Sequence, residues 1–206
     1  TIRLIREGRA PREIGLYLHW PFCPSRCLFC FCYMGVPDST GILQRHAQSL
    51  RAELTAFAEV FQGVPFTSFY FGGGTPTFMP DAELESILTL VRRDFPMDPV
   101  ADICMEVSPV TVTDNKMDIL RAHGINHITL GVQTLDPVVL RGLDRKGQTP
   151  EVVRRAHRLV SHGGRTLVSI DLMLGLQGQT EDSFLRDFRW ALGVRPYDIR
   201  VYVFDP

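Results

Sequence analysis

The chain has 206 residues, 45% of them hydrophobic and 22% charged, and its 22 Lys and Arg against 23 Asp and Glu leave a formal net charge of −1. That length and balance suit a soluble globular core, and the near-neutral charge gives no electrostatic ground for partnership with nucleic acid or with an anionic membrane surface. No apolar run reaches the ~18 residues that span a bilayer and no charged-then-apolar segment opens the chain, so a reducing, cytoplasmic compartment is expected.

In chain order, an arginine-rich start with Arg3, Arg6, Arg9 and Arg12 reads as an N-terminal extension over residues 1–14, and residues 15–206 read as one core domain. Short β-type runs are expected at Gly15–His19, Thr67–Phe71, Asp102–Val107, His127–Gly131, Thr166–Leu172 and Ile199–Val203. Helical patterns lie between them at Ile42–Phe61, Asp81–Asp94, Thr113–His123, Pro137–Gly142, Pro150–His162 and Glu181–Leu192. Pro80-Asp81 precedes an i, i+3, i+4 stripe of Leu84, Ile87, Leu88 and Val91, which predicts a capped amphipathic helix. Gly124 suits a left-handed helix end, and Thr149, Pro150 and Gly163-Gly164 frame the next helix as cap, first position and stop. Such alternation of strand and helix defines a parallel α/β fold, either an open doubly wound sheet or a barrel, and periodicity does not choose between them.

The first predicted strand leads into Tyr17-Leu-His-Trp-Pro-Phe-Cys-Pro-Ser-Arg-Cys-Leu-Phe-Cys-Phe-Cys, where Cys23, Cys27 and Cys30 form C-x3-C-x2-C and Cys32 follows. Four of the five cysteines thus share one short loop. Zinc sites usually pair two separated hooks, and no second hook exists; two disulfides inside one loop would be strained and would join nothing distant. An iron–sulfur cluster is the better reading, with Cys104 as a small core residue. If Cys32 does not reach the same cluster, one iron keeps an open position of the kind that marks a catalytic metal site. The competing class is a non-catalytic iron–sulfur or zinc protein in which Cys32 completes four-thiolate ligation.

This segment resembles the radical S-adenosylmethionine (SAM) superfamily, and its wording resembles the branch of oxygen-independent coproporphyrinogen III oxidases, also called coproporphyrinogen dehydrogenases. The resemblance implies a partial (β/α)6 TIM-like barrel of the radical SAM core, a [4Fe–4S] cluster on Cys23, Cys27 and Cys30, and SAM as cofactor, as one molecule or two. It also implies reductive cleavage of SAM to a 5′-deoxyadenosyl radical that abstracts hydrogen from a small organic substrate, and an electron donor such as flavodoxin or ferredoxin. A substrate-capping domain of such relatives has no counterpart in the residues read here.

Further motifs occur in the order this family shows. Phe71-Gly-Gly-Gly-Thr-Pro76 reads by itself as a tight turn; by resemblance Gly73, Gly74 and Thr75 hold the methionine amine of SAM. Glu106, at the end of an apolar strand, reads as either a buried ion pair or a SAM contact. Gln133 in Gly-Val-Gln, Arg145 after the short helix, and Asp171, the lone charge of an apolar strand, match pocket-lining positions, as do Tyr17 and Phe29. Arg145 suits a carboxylate because its planar fork can bind both oxygens. Gln177 stands where relatives commonly carry proline. His19 and Trp20 are expected to be structural, and no role is assigned to the remaining histidines. Coproporphyrinogen decarboxylation, methyl transfer, cyclopropane formation and dehydration are all compatible with this core.

Overall fold

In the computed structural model, which describes residue 7 and residues 13–204, six strands form one parallel sheet in the order β1 to β6. The arginine-rich extension falls largely outside the described residues. The strands are β1 (Gly15–Trp20), β2 (Phe66–Gly73), β3 (Met97–Val107), β4 (His127–Gln133), β5 (Leu167–Leu174) and β6 (Asp198–Val203). The intervening helices are α1 (Thr40–Val60), α2 (Asp81–Asp94), α3 (Asp114–Ala122), α4 (Pro137–Gly142), α5 (Pro150–Ser161) and α6 (Glu181–Gly193), with a 3-10 turn at Pro76–Phe78 after β2. Each strand pairs with the next, so the sheet is wound in one direction, as in an open barrel with β1 and β6 at its edges.

Period-two alternation divides the sheet into two chemically different faces. Leu18, Phe71, Met105, Ile128 and Val168 lie on the outer face, where they are buried with the apolar stripes of the helices in one continuous core. The other face carries Tyr17, Tyr70, Glu106, Thr129, Ser169, Asp171 and Arg200, and the strand register sets these residues side by side.

Local chemistry sets most helix starts. Thr113 and Thr149 accept from the backbone N–H groups of Lys116 and Val152, Asp136 caps α4, and Thr180 forms a capping box with Ser183. Gly124, with φ 76°, closes α3 as expected. The expected cap of α2 is absent: Pro80 occupies the cap position without a side-chain acceptor, and Asp81 instead pairs with Lys116 and accepts from Asn115. β3 also begins earlier than its sequence pattern suggests, because Met97 pairs with Phe66 before a register shift.

The polar face contains a chain of bonds that the sequence did not reveal. Asp102 accepts from His127 Nδ1 at 3.0 Å, His127 Nε2 meets Ser169 Oγ at 2.7 Å, and Arg200 donates to Ser169 Oγ at 3.3 Å and to Thr129 Oγ1 at 3.2 Å. Both ring nitrogens of His127 are thus engaged, Nδ1 by the Asp102 carboxylate and Nε2 by the Ser169 hydroxyl. His127 and Ser169 are both buried, so deleting this hydroxyl strands two polar partners. Ser169→Ala is expected to lower unfolding free energy by ~1–3 kcal/mol, read as a lower urea midpoint with an unchanged slope.

Candidate functional site

The cysteine loop follows β1 and has almost no regular structure of its own. Its stem is closed by Cys23 N–H donating to Gly35 O at 3.0 Å and Gly35 N–H donating to Pro21 O at 2.7 Å. Two anchors then fix the body of the loop: Leu28 N–H donates to Leu143 O at 3.0 Å and Ser25 Oγ donates to Asp144 O at 3.2 Å. Phe29 packs onto the small apolar cluster of Val139, Leu143, Met173 and Leu176, so its ring fastens the loop to α4 and β5.

The end of β2 meets this loop from the other side. Gly74 N–H donates to Trp20 O at 2.6 Å and Thr75 N–H to Phe22 O at 2.9 Å, while Thr75 Oγ1 lies 3.1 Å from Cys23 Sγ. The three glycines are required by packing. A Cβ on Gly72 would fall 2.9 Å from the Glu106 carboxylate, on Gly73 2.6 Å from the His19 ring and on Gly74 2.8 Å from Phe22 O. Gly73 also has φ 113°, a conformation that other residues rarely adopt. Glu106 is bound at both oxygens, by Tyr70 Oη at 2.7 Å and by Gly73 N–H at 3.1 Å. Burial, then the Glu106 charge, pushes the Tyr70 phenol up, so it remains a proton donor. Tyr17 is exposed and stacks on Tyr70. His19 joins Tyr17 Oη at 2.9 Å to Tyr33 O at 2.9 Å, and so ties β1 to the far end of the cysteine loop.

Across the sheet, Arg145 is held on three sides. Its Nε donates to Gln148 Oε1 at 2.6 Å, Nη1 donates to Cys27 Sγ at 3.5 Å, and Nη2 donates to Gly131 O. Gln133, with φ 68°, turns the chain at this point, and its amide lies with Arg145 beside Gly131. Asp171 pairs in register with Gly131 and Arg200, and its Oδ1 is buried with no hydrogen-bond partner among the described residues. Burial pushes its carboxyl up to about 7, against the opposing pull of Arg200 and with the help of Glu106 and Asp198.

The structure thus gathers Cys23, Gly73, Gly74, Thr75, Glu106 and Tyr17 at the β1–β3 end, and Cys27, Gln133 and Arg145 at the β4 end. Asp171 lies on the same face one strand beyond β4, and Phe29 packs from within the loop on the cluster beside α4. Cys104 is buried as expected, and Cys32 is exposed beside Cys30. Sequence reasoning missed Tyr70, Gln148, Arg200 and the His127 chain, while His19 is structural as expected, its ring bridging Tyr17 and Tyr33. For Tyr70 and Arg200 a signal was present, since both alternate with apolar residues on strands otherwise facing a core.

A glycine-lined strand end, a three-cysteine loop clamped against it and a one-directional α/β sheet define a class of cofactor enzyme. A profile of the Radical SAM superfamily matches residues 17–191, and the chain belongs to that superfamily. It is 31% identical over 201 residues to the oxygen-independent coproporphyrinogen III oxidase of Bradyrhizobium diazoefficiens, which covers 97% of this chain and 44% of that protein. The enzyme of the same name from Escherichia coli is 31% identical over 194 residues, 93% of this chain and 42% of the relative. The chain therefore spans less than half the length of the curated relatives it matches. Among solved structures, coproporphyrinogen III oxidase (HemN) from Escherichia coli, described as a radical SAM enzyme, superposes with a TM-score of 0.87 at 30% identity over 94% of this chain and 44% of that one. The radical SAM methyltransferase TsrM from Kitasatospora setae shares the fold, with a TM-score of 0.62 at 16% identity over 91% of this chain and 35% of that one.

Membership implies a [4Fe–4S] cluster and SAM, a substrate and a source of electrons. Among the described residues no three His, Cys, Asp or Glu side chains are grouped to hold a single metal ion. A multi-iron cluster asks for less convergence, because its thiolates are spread over several irons. The donor set fits it. Burial pushes the Cys23 thiol up to about 11, Thr75 and Arg145 oppose this, and the fields of Cys30 and Cys27 add to it, which sets those two sulfurs within reach of the Cys23 site. SAM also fits: Asp171 Oδ1 is an unused acceptor, and Arg145 retains one N–H on each terminal nitrogen beyond its three protein contacts. No helix among the described residues is long and apolar enough to cross a membrane.

Because the folded carboxyl of Asp171 titrates near 7 and an unfolded one near ~3.9, folding favours its protonated form. Stability from this group is present below pH ~4, falls as pH rises, and is lost above about 7. Asp171→Asn removes the effect. Its urea midpoint should match the parent at pH 5 far more closely than at pH 8, where the variant gains up to a few kcal/mol (~2–4). Parallel pH profiles for the two proteins would refute this assignment.

Proposed function

We propose that this chain is the core of an enzyme that cleaves SAM reductively on a [4Fe–4S] cluster held by Cys23, Cys27 and Cys30. When bound, the reduced cluster and SAM together supply a 5′-deoxyadenosyl radical that abstracts hydrogen from an organic substrate. The observation that carries this reading is the double clamp on the cysteine loop, Cys23 against Thr75 of the glycine strand end and Cys27 against Arg145.

The residues then divide the work of binding. Gly73, Gly74 and Thr75 present a strand end to the methionine amine, and the Glu106 carboxylate, fixed by Tyr70 and Gly73, accepts a hydrogen bond beside it. The remaining N–H groups of Arg145 suit a carboxylate. Gln133 and Asp171 offer acceptors to hydroxyl groups, and Tyr17 and Phe29 bound the site, Phe29 from within the loop. The division into an extension over 1–14 and a core over 15–206 belongs to the same proposal, as does an electron donor of flavodoxin or ferredoxin type.

The relatives' name makes coproporphyrinogen decarboxylation one candidate reaction. One observation favours the other readings, methyl transfer, cyclopropane formation or dehydration. A substrate with several propionates needs several cations. Beside the exposed part of Arg200, however, the described polar face sets Glu106, Asp171 and Asp198. A second SAM molecule, as methyl donor or co-reactant, would share the pocket lined by Phe29, Gln133, Arg145 and Asp171.

Anaerobically reconstituted protein, given reductant and SAM, should form 5′-deoxyadenosine and methionine, and Cys23→Ala, Cys27→Ala or Cys30→Ala should abolish both. Cys32→Ala should keep iron content and nucleoside formation; loss of the cluster in that variant would favour four-thiolate ligation. Equilibrium dialysis should give two SAM per cluster, falling to one in Asp171→Ala. A stoichiometry of one, unchanged by the substitution, would remove the second SAM. With candidate substrates, loss of CO2 marks decarboxylation, gain of CH2 marks methyl transfer or cyclopropane formation, and loss of water marks dehydration.

A further inference from the structure

We propose that Arg145 donates an N–H···S hydrogen bond to Cys27 and thereby raises the reduction potential of the cluster, with Gln148 as the positioning residue that aims the guanidinium. The inference rests on the assignment of Cys27 as a cluster ligand.

Gln148 is 6% exposed and has its amide fully oriented. Its Nε2 donates to Val132 O at 2.6 Å and to Thr134 O at 3.3 Å, while Oε1 accepts from Arg145 Nε. A flipped amide would set donor against donor at Arg145 and acceptor against acceptor at Val132, so only one orientation is possible. Gly131 O, part of β4, holds Nη2. Two fixed contacts on a planar group leave it no rotation, and Nη1 is consequently aimed at Cys27 Sγ. The sulfur is fixed in turn, because Ser25 and Leu28 on either side of Cys27 are bonded to Asp144 and Leu143.

A one-electron reduction by the external reductant adds negative charge to the cluster and its thiolate sulfurs. A cationic donor at one of those sulfurs stabilises the reduced form more than the oxidised form. No proton moves in this step, because the guanidinium stays charged throughout. The two N–H groups left over still suit a carboxylate, so the same side chain can serve SAM and Cys27 together. Cys23, by contrast, has its hydrogen bond with the neutral hydroxyl of Thr75 and feels the Arg145 charge only through space.

The test is an EPR-monitored potentiometric titration of the reconstituted protein without SAM, after iron and sulfide per chain have been matched. Arg145→Ala should reduce the equilibrium constant for reduction by about tenfold, a midpoint ~59 mV more negative. Gln148→Leu should shift the midpoint the same way by less, since the guanidinium remains but is no longer aimed. Arg145→Lys, which keeps the charge and loses the fork, should fall between Arg145→Ala and the parent. A fully loaded Arg145→Ala protein with the parental midpoint overturns the proposal, and so does an Arg145→Lys protein indistinguishable from the parent, because charge alone would then suffice. Full iron loading in Cys27→Ala would overturn the ligand assignment instead, a result that iron analysis reads independently of any potential.

Discussion

Three thiols must be presented together by a loop that lacks regular structure, and a loop cannot hold itself. Its backbone makes few internal bonds; what fixes it comes from the glycine end of β2 on one side and the segment after α4 on the other. Conformational entropy makes this constraint severe, because each backbone residue held in one conformation costs about 1–2 kcal/mol. The sheet, its winding direction and the lengths of its connections matter to the site chiefly because they bring these two clamps to the same place. The glycine run belongs to the same arrangement: without side chains at Gly72, Gly73 and Gly74, His19, Glu106 and the loop backbone can occupy positions that a Cβ would claim.

The division of the sheet into an apolar and a polar face follows from strand alternation. Parallel sheets covered on both sides show nearly continuous apolar runs. Here Ser169 and Asp171 alternate with Val168, Ile170 and Leu172, and Tyr70 with Phe69 and Phe71. One side of each strand supplies stability through burial, and the other carries hydrogen-bonding groups toward the interior of the open barrel. Placing a carboxylate there is costly, as the raised pKa of Asp171 records, and the cost is moderated by Arg200, itself braced through Ser169 by His127 and Asp102.

Much of this was legible in the sequence. All six strands and all six helices lie where periodicity and end signals placed them, apart from shifts at their ends and the early start of β3. The cysteine spacing and the glycine run pointed to the site because their chemistry is local: neighbouring residues suffice to recognise them. The partners that support the site were not legible for the opposite reason. Gln148 matters through an amide orientation imposed by Val132 and Thr134, and Arg200 through a register that sets it beside residues 29 to 71 positions away in sequence. His19 was expected to be merely structural; only the close approach of Gly73 shows that its ring fills the space the glycine vacates. Phe29 illustrates the converse case, an aromatic beside Cys30 whose packing on the small apolar cluster only the structure shows.

The anchoring of Phe29 among Val139, Leu143, Met173 and Leu176 bears on how the protein is assembled. Since the ring is seated by the same apolar burial that folds α4 onto β5, part of what orders the loop is packing rather than ligation by its sulfurs. A cluster held by this loop would owe part of its affinity to aromatic packing some distance from the sulfurs, because that packing lessens the entropy the thiol segment has to surrender. Loss of the Phe29 ring alone, which leaves the contact between α4 and β5 in place, would present as a maturation defect, a chain that folds and accumulates normally yet fills poorly.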